Sequence, residues 1–138
     1  MKASLLSASA ALLVLLASGC EHLSNCEPTP RCVKGIVLAN TCMAGTLIQL
    51  QGVSSGGQTI EYNFDGTGKK RYDHVISTYS ELNGLSRKGQ TIYFTYQQGG
   101  KEPDFRCLAA DGPDTPVAVY TVSNVSDSAC NEGEVTTN

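Results

Sequence analysis

Six cysteines carry most of the chemistry open to this 138-residue chain: Cys20, Cys26, Cys32, Cys42, Cys107 and Cys130. A thiol in a protein binds metal, works in a close redox pair, or is joined to another group. Zinc sites usually set their cysteines in pairs two to four residues apart. Here five residues separate Cys26 from Cys32 and nine separate Cys32 from Cys42, while His22 and His74 stand alone. No metal ligand set and no other cofactor is therefore expected. A redox pair wants Cys-x-x-Cys, which the chain lacks. Joined thiols are left, and what they join to depends on the compartment.

Acid–base and nucleophilic chemistry finds less support. His74 is the one histidine inside the expected domain, with Asp73 and Asp65 near it in sequence. A strand or loop histidine explains it more simply than a general base. There is no Gly-x-Ser-x-Gly elbow. Asp111 and Asp114 bracket Gly112-Pro113, which a turn explains. Asn63 to Gly68 looks like the front of an EF-hand loop, but its twelfth position is His74 rather than a bidentate Glu. Gly68-Lys69 lacks the flanking residues of a P-loop. No catalytic residue is assigned, and the chain is not expected to be an enzyme.

The compartment is written at the N-terminus. Met1-Lys2 opens an apolar run through Ala10-Ala11-Leu12-Leu13-Val14-Leu15-Leu16 that ends in Ala17-Ser18-Gly19-Cys20. A basic start, a short apolar core and small residues before a cut make a secretory signal peptide. The run is short of the ~20 residues that span a bilayer. The segment resembles a lipobox, the cleavage and acylation signal of bacterial lipoproteins. That resemblance implies diacylglycerol on the Cys20 sulfur, cleavage before Cys20 and acylation of the new amino terminus. One acyl chain holds a protein only marginally; three would hold it durably. With Glu21, not Asp, after the cysteine, the resemblance leans toward the outer membrane. Farther along, Lys34-Gly35-Ile36-Val37, Leu47-Ile48-Gln49, Ile92-Tyr93-Phe94 and Cys107-Leu108-Ala109 resemble small lipoproteins of the Bacteroidota, which adds no chemistry.

Export makes disulfides the expected fate of the remaining thiols. With Cys20 acylated, five are left, so two bridges and one odd thiol are expected. Cys32, Cys42, Cys107 and Cys130 are the disulfide candidates because they flank expected strands, and Cys26 is the candidate unpaired thiol. Which pairs join is left open by the spacing. Loss of residues 1–19 removes Lys2 from the ten basic residues and none of the 13 acidic ones, so the formal charge moves from −3 to −4. That balance argues against nucleic acid, which wants a strongly basic face. The one basic cluster, Lys69-Lys70-Arg71, follows Asp65-Gly66-Thr67-Gly68 and reads as a solvated loop, with a phosphate or lipid-headgroup contact as the lesser alternative.

The elements that must position these groups are short strands. Pro28 and Pro30 make residues 20–31 a tether. A β domain is expected over 32–130 and a frayed tail over 131–138. Strands are predicted at Val33–Ala39, Thr46–Gln51, Thr59–Phe64, Tyr72–Tyr79, Gln90–Tyr96, Phe105–Ala109 and Val117–Val122, where β-branched and aromatic residues alternate between Gly-rich breaks. The first two form a hairpin. One short helix is predicted over Ser80–Arg87. The fold class is all-β: a small disulfide-bridged barrel or sandwich, OB-like as one form. The expected function is a lipid-anchored envelope protein, a non-catalytic binding or structural module held to the membrane through Cys20. Its partner would be an envelope protein or glycan, and Tyr93 is expected to face outward as a platform. The alternative is a small lipoprotein inhibitor of a hydrolase.

Overall fold

The computed structural model describes residues 31–104 and 107–130. The chain forms six strands: β1 (Val33–Thr41), β2 (Gly45–Gln51), β3 (Gln58–Tyr62), β4 (Lys70–Thr78), β5 (Thr91–Gln98) and β6 (Tyr120–Ser126). They make one antiparallel sheet in the order β3-β4-β2-β1-β5-β6. The all-β class is the expected one. The sheet is single, so it is not a sandwich. It curls until Ser77 of β4 meets Val119, just ahead of β6, in one isolated parallel bridge. That bridge stops short of a closed barrel. The OB-like form is not met: the ladder does not close and no helix lies among the described residues.

The alternation read from the sequence places the core. Ile48 and Leu50 of β2, Ile92 and Phe94 of β5, Ile76 of β4 and Val37 of β1 fill the inner cluster. Leu47, Val75, Ile60 and Leu38 fill a second cluster on the outer face, capped by Val117. Both faces of the upper sheet are thus buried, which is why Val75, Ile76, Ser77 and Thr78 are all inaccessible in succession. β1 serves both clusters through a bulge. Val37 pairs with Ile48 and Ala39 with Leu47, leaving Leu38 unopposed and turned outward.

Three expectations are corrected. The helix over Ser80–Arg87 is a turn. Asn83 and Gly84 both take positive φ (52° and 77°), and the Leu85 N–H donates to the Leu82 carbonyl at 2.8 Å. Two successive left-handed residues suit an Asn-Gly pair and cannot continue an α-helix. Leu82 is buried as that reading required, but Ser80 caps nothing: its Oγ accepts the Val122 N–H at 2.9 Å. The strand expected at Phe105–Ala109 is absent over 107–109; Phe105 and Arg106 lie outside the described residues. β6 takes the place beside β5, so this segment has no ladder to join. The last strand begins at Tyr120, not Val117. Val119, just ahead of it, makes the isolated bridge to Ser77, while its carbonyl accepts the N–H groups of Gly99 and Gly100 just beyond β5 (3.2 and 3.1 Å).

Candidate functional site

The two bridges lie at opposite ends of β1. Cys32, one residue before the strand, joins Cys130; Cys42, one residue after it, joins Cys107 (Cα–Cα 6.0 and 5.6 Å). These four cysteines are the expected disulfide candidates, and the structure settles the pairing that spacing left open. Cys20 and Cys26, with the tether up to residue 30 and the tail over 131–138, lie outside the described residues.

The candidate site is the β1–β2 turn, Cys42-Met43-Ala44. Gly45 (φ +61°) closes it, as a three-residue hairpin loop requires. A side chain at Gly45 would strike the Thr78 carbonyl and the Tyr79 ring. The turn is clamped from every side. The Asp111 carboxylate accepts the backbone N–H groups of Cys42 (2.8 Å) and Met43 (3.1 Å). Tyr79 Oη donates to the Met43 carbonyl (2.8 Å), and Ser77 Oγ to the Ala44 carbonyl (2.5 Å). The Thr41 hydroxyl accepts the Ala44 N–H at 3.0 Å. Tyr62 Oη in turn holds Asp111 by its carbonyl, at 2.5 Å. The two N–H donors hold the Asp111 carboxyl below its ordinary value.

This rigid turn carries exposed apolar groups. Met43 is 55% exposed and Leu108 fully so, each one residue beyond a half-cystine of the same bridge. A cleft of about 280 Å³ opens beside Met43, between Tyr79, Val119 and the strap Gly112–Val117, with Glu102 also lining it. The strap is fixed by a side chain acting as a strand neighbour. Gln58 Nε2 donates to the Pro116 carbonyl (2.7 Å), and Gln58 Oε1 accepts the Ala118 N–H (3.1 Å). Burial first, then the charges of Glu102 and Asp111, raise the Tyr79 hydroxyl pKa. Glu102 and Asp114 are the charged residues that line the cleft.

The other candidates are placed elsewhere. His74 occupies a bulge in β4 at φ 57°, and its Nδ1–H donates to the Gly56 carbonyl at 3.0 Å. Its sequence neighbours are otherwise engaged. Asp73 accepts from Thr59 (2.6 Å) and Arg71 (3.1 Å), and Asp65 from Lys70 and Thr67 (2.6 Å each). Each residue of the basic triplet thus meets an aspartate of its own chain: Lys69 with Asp114 at 2.5 Å, Lys70 with Asp65, Arg71 with Asp73. These pairs are exposed and individually weak, but they leave little unbalanced charge for a phosphate. Tyr93 does point to the outer face, half-buried, between Lys34 of β1 and Ser126 of β6. Among the described residues, no three His, Cys, Asp or Glu side chains are grouped as a metal site would need.

Sequence reasoning missed Asp111, Gln58 and Tyr79 as positioning groups. Asp111 was explained by its own turn, and nothing local tells that its carboxylate reaches a turn nearly seventy residues away. The one available signal is its place close after Cys107, whose bridge brings the two loops together. Comparison of the chain with protein-family models, with curated proteins and with solved structures gives no match.

Proposed function

We propose that this protein is a lipid-anchored module of the bacterial cell envelope that binds a partner and performs no catalysis of its own. The observation that carries this reading is the polarity of the domain along β1. The tether enters at Cys32, and the clamped turn with Met43, Leu108 and the cleft stands at the other end. Nine strand residues put roughly 30 Å between them. With Cys20 acylated, as the lipobox resemblance implies, residues 20–31 would reach at most about 40 Å from the bilayer. The Cys32–Cys130 end would then face the membrane, and the apolar end would be presented away from it. A rigid apolar surface suits a protein partner better than solvent.

The test is the intact mass of the membrane-extracted protein, with thiols alkylated after denaturation. A chain starting at Cys20 with three acyl chains and one alkylated thiol is expected. A lipid-free mass would sink the anchor. Cross-linking in cells through a photoreactive residue at position 108 should then capture an envelope partner, and recovery of the lone protein would remove the binding role.

A second reading, inhibition of a hydrolase, gains from one observation: the Met43 turn is held by a bridge, a carboxylate and three hydroxyls, the stiffness an inhibitory loop needs. Undiminished activity of lysozymes and a protease panel in the presence of the protein would exclude it.

A further inference from the structure

The cleft beside Met43 is large enough for one long side chain and small for anything more, at about 280 Å³. Its walls are mostly apolar, from Met43, Pro113, Pro116, Val119 and the Tyr79 ring. Its rim is acidic. Asp114 is engaged by Lys69 and Asp111 by the turn's own N–H groups. For Glu102 no ion pair is found among the described residues. Apolar walls with a carboxylate at the mouth complement a side chain with a hydrocarbon stem and a cationic head. An aromatic ring in the wall adds to the attraction.

We infer that this cleft receives an arginine or lysine side chain from a basic segment of the partner protein, with the head group at Glu102 and the stem along Pro113, Pro116 and Val119. The inference rests on the binding-module reading. Met43 lines the cleft and is more than half exposed, and exposed Leu108 follows Cys107 of the bridge that holds the same turn, so apolar surface is open to the rest of the segment and the ligand is a peptide chain rather than a free cation. The clamps on the turn keep the site formed before binding, which lowers the ordering cost. The net charge, −3 for the whole chain and −4 once residues 1–19 are removed, steers the same kind of partner.

The chain holds two methionines, Met1 and Met43. Methyl-labelled methionine therefore places an NMR probe at the cleft, identified by its disappearance in Met43→Leu. The full chain, in detergent, is titrated with a blocked arginine–glycine pentapeptide and with its glutamate–glycine counterpart. A saturable shift of the Met43 methyl is expected with the first and not with the second. Glu102→Gln should weaken the response by about threefold, as should high salt. The inference falls if the shift does not saturate, if the glutamate peptide matches it, or if Glu102→Gln leaves it unchanged. It also falls if the Met43 signal moves with protein concentration alone, because a second copy then fills the cleft. A partner captured in cells with Met43 silent to arginine would overturn this inference and leave the binding module standing. A response to arginine in a lipid-free protein would do the reverse to the anchor.

Discussion

Asp111 holds the Met43 turn by two backbone N–H groups, those of Cys42 at 2.8 Å and Met43 at 3.1 Å, from a loop that follows five of the six strands in sequence. The Cys42–Cys107 bridge joins the same two loops covalently. Bridge and carboxylate are thus parallel restraints on one turn. Removing either alone should leave the turn in place. Asp111→Ala in the bridged protein should speed amide exchange at Cys42 and Met43 while leaving the exchange of β5 unchanged. The same substitution combined with Cys42→Ala and Cys107→Ala should release the turn and abolish any binding at the cleft. Unchanged exchange at Met43 in the triple variant would show that Tyr79 and Ser77 suffice.

The bridges should matter for global stability as well. They span 98 and 65 residues of chain. Closing loops of this length restricts the unfolded chain, typically by about 2–4 kcal/mol for each bridge. Replacing either pair with alanines should lower the unfolding free energy by that amount, the Cys32–Cys130 pair slightly more, and raise the denaturant slope because the unfolded chain is no longer held compact. Urea unfolding followed by tyrosine fluorescence reads this cleanly, because the chain has no tryptophan.

Gly35 of β1 is packed closely against Ile48 and Phe94 of the inner core. A Cβ on Gly35 would lie 2.6 Å from Ile48 Cγ2 and 2.7 Å from Phe94 Cε1. Gly35→Ala should therefore cost about 1–3 kcal/mol by overpacking, and Phe94→Ala about 3–5 kcal/mol by leaving a cavity. A smaller residue at 94 should relieve the part of the clash that Phe94 makes, leaving the one with Ile48. The double variant Gly35→Ala/Phe94→Leu is then expected to be more stable than the sum of its parts, a coupling that a double-mutant cycle measures.

Gln58 acts on the strap with both ends of its carboxamide. Gln58→Ala should cost about 1 kcal/mol and raise hydrogen exchange at the Ala118 amide. Gln58→Glu keeps the acceptor for Ala118 but loses the donor to Pro116, so it should protect Ala118 better than alanine does. Equal exchange in both variants would place the restraint on the Ser77–Val119 bridge instead.

Stability should fall on the acid side. Asp65, held low first by Lys70, Asp73, held low first by Thr59, and Asp111, held low by Cys42 and Met43, all titrate below the ordinary carboxylate value of 3.8 in the folded chain. A depressed folded pKa gives stability that is complete above the unfolded value and is lost as pH falls through the folded one. The urea midpoint should therefore be flat from neutral pH to about 5 and decline below about 4. The Lys69 and Lys70 ammonium groups, raised above 10.5 by Asp114 and Asp65, act on the other limb: their contribution is present below 10.5 and lost as pH climbs past it. Added salt should flatten both limbs, since these pairs are exposed.

The sequence by itself determined the all-β class, the location of six strands and the sorting of side chains between faces, while adding a strand at Phe105–Ala109 that is absent over 107–109. Ile48 and Leu50 against Leu47, and Ile92 and Phe94 against Tyr93, follow from a period of two that the pleat enforces wherever one face is buried. It also singled out the four cysteines that bridge. Strand ends and the Asn83-Gly84 turn were harder to read, because a Leu-x-x-Leu spacing fits one turn of helix as well as one buried loop. What only the tertiary structure decided was the partnering across long separations: Cys42 with Cys107, Asp111 with the Met43 turn, Gln58 with the strap, each Lys69-Lys70-Arg71 cation with its own aspartate. Local pattern records which face a residue takes. It does not record which distant loop the curl of the sheet brings against that face, and the cleft beside Met43 is built entirely from such meetings.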